Sequence, residues 1–226
     1  MKIAVVLTML GLLTLTGPAQ SQELKNPFPP SSPLYRPAAR FLETTLKTPA
    51  LRELLQQSHN DTQIYQFSVM LLANRGLPRL DDNTLSTHLV AMSRLTDKLD
   101  TETCAAIFTG KPLNDPNALY DHFLSALAQL DQPTIDGWFD TTAEAAVAEL
   151  KKKPQPQTDM TAQANALNRM METLPADQKT RLGNALEHLD TISDAEACWA
   201  NRAFLHAALQ LPPPERQIMA RVIAEP

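Results

Sequence analysis

Apolar residues recur at three- and four-residue steps along most of the chain, the spacing that gathers them on one face of an α-helix. Leu85, Leu89, Met92, Leu95 and Leu99 form one such stripe, and Leu119, Phe123, Leu127 and Leu130 a second. Phe139, Ala143, Ala146, Val147 and Leu150 make a third. Leu167, Met170, Met171 and Leu174 continue the series, as do Leu182, Leu186 and Leu189. The stretch IYQFSVMLLA, residues 64–73, is apolar nearly all round, which predicts a central, buried helix. Alternating Val/Ile/Thr runs and Asn-Gly turns, the marks of strands and hairpins, are nearly absent.

Start and stop signals agree with this reading. Thr48-Pro49 and Asp115-Pro116 place a capping side chain before a proline at the first helical position. Ser193-Asp194-Ala195-Glu196 has the form of a capping box. Gly76 and Gly110 each follow a helical segment and precede Pro78 and Pro112 by two residues, a pattern that ends helices. The junctions LDQP, LPADQ and LPPPE are short, and tightly joined helices tend to be antiparallel neighbours. The expected fold is therefore all-α: a multi-helix antiparallel bundle or stacked helical hairpins of nine to eleven helices. KKKPQPQTD, residues 151–159, is the candidate internal boundary. Its lysines sit where a helix C-terminus favours cations, and its prolines prevent continuation.

The N-terminus changes the picture from fold to compartment. Lys2 followed by the apolar run IAVVLTMLGLLTL and the small-residue stretch TGPAQSQE reads as a secretory signal peptide over residues 1–21. The run is too short to span a bilayer, and no cysteine follows it to carry a lipid. No later apolar run is long enough to cross, so no stable membrane anchor is expected after cleavage. Periplasmic or extracellular placement follows. Residues 22–37, rich in proline, read as an extended arm that serves as a tether or docks a partner. The helical domain is then 38–226.

Composition narrows the function. The formal net charge is −5, and loss of Lys2 with the signal peptide makes it one unit more negative. With aromatics at only 5%, the chain has neither a cationic footprint nor stacking platforms, so nucleic acid is not an expected partner. Asn60-Asp61-Thr62 has the form of a glycosylation sequon, but reads better as a polar helix start.

The two cysteines sit in matched contexts: Asp100, Glu102, Cys104, Ala106 recur as Asp194, Glu196, Cys198, Ala200. A thiol near a helix start is activated when reduced. In an oxidising compartment, two matched cysteines without a C-x-x-C motif instead predict a Cys104–Cys198 disulfide. Such a bond closes a loop of about 93 residues and restricts the unfolded chain by up to about 4–5 kcal/mol.

The histidines, His59, His88, His122, His188 and His206, form no H-E-x-x-H motif, and no two lie four apart. His88 shares the face of Leu85, Met92 and Leu95 and reads as a buried, hydrogen-bonded imidazole. His188 points away from its stripe and reads as solvated. No G-x-S-x-G elbow, S-x-x-K motif or phosphate-cradling glycine loop is present, and no cofactor, metal or catalytic residue is expected.

The leading expectation is an exported, non-catalytic helical protein that binds a protein partner, such as an inhibitor, an immunity factor or an envelope or secretion accessory. An exported enzyme or secreted effector with an unrecognised site is the alternative. A third reading is a carrier of a small apolar ligand, its cavity lined by Met92, Met170 and Met171.

Overall fold

The computed structural model describes residues 26–57, 62–111, 113, 115–157 and 159–225. The expected signal peptide, the start of the expected arm, His59 and Asn60-Asp61 lie outside the described residues. Eleven α-helices and no strand occur among the described residues, so the fold is all-α as the pattern predicts. They are α1 (Tyr35–Leu46), α2 (Pro49–Gln57), α3 (Thr62–Gly76), α4 (Asp82–Lys98), α5 (Thr101–Thr109) and α6 (Pro116–Leu127). The second half holds α7 (Gln132–Leu150), α8 (Met160–Glu172), α9 (Ala176–Glu187), α10 (Asp194–Gln210) and α11 (Pro213–Ala224). A single 3-10 turn, Leu77–Arg79, follows α3.

Caps explain where the helices begin. Asp81 accepts from the backbone N–H of Asn83 and Thr84, Asp100 from Thr103, Asp131 from Thr134 and Asp159 from Thr161. Each satisfies donors that a helix start leaves without an intrahelical partner. Pro49, Pro116 and Pro213 stand at first helical positions. Half of the predicted capping box forms: Ser193 Oγ accepts from Glu196 N at 3.3 Å, while the Glu196 carboxylate turns away to Arg181.

The largest interfaces join helices far apart in sequence, not the tightly linked neighbours that the short junctions predict. α7 packs against α3, α4 and α1; α10 packs against α5 and α4; α11 packs against α4 and α8. Extended residues at the corners account for this. Leu99 and Asp100, and again Leu211 and Pro212, have ψ between 146° and 165° and redirect the chain between helices. α4 is the shared wall, with α7 on one side and α10 and α11 on the other.

The main core runs from Phe41 and Leu51 through Leu85, Leu89 and Ala146 to Met170, Leu205 and Met219. It draws on residues from both sides of 151–159, so that segment connects elements of one core. A second cluster surrounds the disulfide with Leu34, Leu95, Leu127, Ile135 and Trp138.

Two expectations need correction here. The helical part begins at Tyr35, inside the expected arm, with Pro37 buried in the first turn of α1. Residues 27–34 form bends and turns, and Leu34 is buried. A proline tolerated in a first helical turn ends an extended segment earlier than composition suggests. Nor is α3 covered on all sides: Val69 and Ala73 are buried, but Leu71 is 46% exposed. Its neighbours α7 and α2 cover only part of its circumference.

Gly110 ends α5 in the left-handed conformation, φ 71°, as its position predicts. Gly76 does something else. Its φ is −90°, and a Cβ there would lie 1.8 Å from the Ala145 carbonyl oxygen. The glycine lets the end of α3 touch the backbone of α7.

Candidate functional site

Cys104 and Cys198 are bonded, with Cα atoms 5.1 Å apart, and both are buried. The first turns of α5 and α10 meet there, as the matched sequence contexts predict. With both sulfurs in one bond, neither is a nucleophile. The bond holds one wall of the core that contains Trp138 and Leu127.

The described histidines do not converge. His122 Nδ1 lies 3.0 Å from Asp100 Oδ2 and 2.9 Å from the Thr103 hydroxyl. His206 Nε2 faces Asp97 at 3.0 Å, and His188 Nδ1 meets the Asn184 carbonyl at 2.9 Å. His188 is exposed, as expected. Among the described residues, no three His, Cys, Asp or Glu side chains gather as a metal would need.

His88 is buried as expected, but its Nδ1 has no hydrogen-bond partner. Its ring stacks on Trp138, centroids 5.1 Å apart. Burial favours the neutral form and pushes its pKa down to about 4.

Two buried charges are structural ties that the sequence did not reveal. The Arg221 guanidinium bonds Asp82 and donates to the carbonyls of Pro78 at 3.1 Å and Leu80 at 3.0 Å. It anchors α11 to the turn before α4. Glu149 is held by Arg79 at 2.7 Å and by Lys152. Hydrogen bonds from Lys152 and Arg79 hold its carboxyl below the usual range. Lys153 lies 3.8 Å from Glu144, so the second and third lysines of the run face acidic partners near the end of α7. An open cleft of about 520 Å³ lies beside Arg221, Asp82 and Gln217, but its guanidinium is already committed to the fold.

Two features have the character of binding surfaces. The first is an apolar cavity of about 70 Å³ between α1, α3, α6 and α7. Phe41, Met70, Phe123, Trp138 and Phe139 supply its walls, with Phe28 from the segment before α1. Phe41 and Phe139 meet edge to face at 5.9 Å, and Phe123 and Trp138 stand 5.1 Å apart. Tyr120 and Thr142 are its polar lining residues. The Thr142 hydroxyl donates to Trp138 O at 2.7 Å. Burial, with the Asp121 charge, pushes the Tyr120 phenol up to about 12, so it stays neutral. The methionines expected to line a cavity do not line this one. Met170 is fully buried in the main core, Met171 packs against that core and the α9 cluster, and Met92 packs against the Trp138 cluster without lining the cavity. Met70 takes the role instead.

The second is the outer face of α8. Ala166 and Met170 turn into the core, whereas Met160 is 81% and Leu167 38% exposed. Ala164 lies exposed between them. The stripe Leu167-Met170-Met171-Leu174 is thus split between core and surface, because α11 and α10 cover α8 from one side only.

No family model matches the chain, and neither a curated protein nor a solved structure matches it. The reading of function rests on the geometry.

Proposed function

We propose that this protein is an exported, non-catalytic interaction protein that docks a helix of another protein along the outer face of α8. One observation carries the reading. Met160, Ala164, Leu167 and Met171 follow one another along α8 at steps of four, three and four, the seam spacing of a coiled coil, and Leu174 lies just beyond the end of the helix. The first three are exposed, and the last two are half-buried against α9 and the cores. A partner helix crossing at about 20° can seat its own apolar seam there. Thr161, Asn165 and Asn168 border the seam with uncharged polar groups and Glu172 is the one acidic residue on that flank, so the match is mainly one of apolar packing. The Cys104–Cys198 bond supports export, since such bonds persist in oxidising compartments. A fixed helical scaffold of this kind suits an inhibitor, an immunity factor or an assembly accessory, a comparison of class only.

A photo-crosslinking residue at Asn168, in the full chain made by its own cell, tests this. One adduct with a different protein is expected, its crosslinked peptide carrying a heptad-spaced apolar helix. The adduct should vanish when Met160→Asp and Leu167→Asp are combined. An adduct between two copies, an adduct that survives the double substitution, or none at all would overturn the proposal.

A further inference from the structure

Independently of α8, we infer that the cavity between α1, α3, α6 and α7 is a binding site for the end of an unbranched alkyl chain from a free single-chain amphiphile. The chain has twelve aromatic residues, and six of them line this one space: Phe28, Phe41, Tyr120, Phe123, Trp138 and Phe139. So uneven a distribution in an aromatic-poor protein marks the cavity as a built apolar site, because ligand pockets are lined mainly by apolar and aromatic groups.

Charge and size select the ligand. Among the described residues no charged side chain lines the cavity, so a carboxylate or ammonium entering it would lose its hydration without compensation. At about 70 Å³, the space is roughly half that of an apolar cavity of about 150 Å³ that admits benzene. A ring does not fit while the walls hold still. The narrower end of a straight alkyl chain does, with its polar head left in solvent. A bilayer lipid carries two chains, and this cavity takes one.

Phe28 supplies the entrance. It is half-buried on a non-helical segment, unlike the other aromatic walls, which belong to helices. Its backbone N–H donates to Asn26 Oδ1 at 3.0 Å, and Asn26 Nδ2 donates to the Tyr35 carbonyl at 2.7 Å. These two hydrogen bonds and the packing of Phe28 against the Trp138 cluster hold this wall, and its displacement is the route of entry because it belongs to no helix.

A series of n-alkanols tests the site in the oxidised full chain. Trp199→Phe leaves Trp138, a cavity wall, as the remaining fluorophore. A saturable fluorescence change is expected, with the midpoint falling about fourfold per added methylene for the short members and then levelling as the cavity fills. Leu124→Phe, which pushes a ring into the space, should abolish the response. A measurement that needs no cavity variant is the ¹³C-methyl spectrum: Met70 should shift with ligand while exposed Met160 does not. Phosphatidylcholine vesicles should produce neither signal. Absence of a saturable response, an undiminished response in folded Leu124→Phe, equal shifts at Met70 and Met160, or binding to vesicles but not alkanols would overturn the assignment.

Discussion

The two halves of α7 solve the same packing problem in opposite ways. Its C-terminal half buries small residues, Ala143, Ala145, Ala146 and Ala148, and α3 comes close enough for Gly76 to touch the Ala145 carbonyl. Its N-terminal half carries Trp138 and Phe139, whose neighbours are other aromatic rings, and a void remains among them. Small side chains let two backbones meet and leave no space. Rings contribute large apolar area, but their fixed planes tile poorly without exact partners. One helix thus has an end made for contact and an end made with room to spare.

Adding atoms should have opposite signs at the two ends. Gly76→Ala places a methyl group where a backbone oxygen stands, so α3 must move away from α7. We expect a loss of about 3 kcal/mol or more in urea unfolding, at the upper end of overpacking effects. A loss below about 1 kcal/mol would mean that the contact is not tight. Acid should probe the aromatic end next. Unfolded histidine titrates near 6.5, whereas His88 against Trp138 titrates near 4. Below pH 6.5 the unfolded chain binds a proton that the folded chain resists, so stability falls as pH drops and levels off below about 4. The total is about 3 kcal/mol. His88→Phe keeps a ring on Trp138 and removes the unpartnered nitrogen, and should flatten this part of the profile. An unchanged slope would place the acid sensitivity elsewhere. The smallest effect belongs to Leu124→Phe, which fills space and should leave stability within about 1 kcal/mol of the parent in the same unfolding assay. A penalty as large as that of Gly76→Ala would erase the contrast.

Local features of the fold were legible in the sequence, and features that depend on a distant neighbour were not. Ser193 caps α10 as its pattern predicts, because a cap needs only the next few residues. The Cys104–Cys198 pairing was legible because two matched contexts left one possible bond. Gly76 resembles a helix stop by its position before Pro78, and its purpose appears only when Ala145 arrives from α7. Arg221 gives no sign in sequence that it will bind the carbonyls of Pro78 and Leu80. The candidate sites divide in the same way. Leu167 and Met170 sit on one apolar stripe, and only packing decides which of them faces outward. The aromatic cavity gathers residues from five separate segments, so periodicity within any one of them carries no trace of it.

The disulfide also determines what a protease can accomplish. Residues 151–157 form an exposed, non-helical run with three lysines, lying between the two cysteines in the chain. A cut after any of those lysines divides the polypeptide without separating it, because the two pieces stay joined through Cys104 and Cys198. The nicked protein would migrate as one species until reductant is added. Severing this exposed run need not release either half.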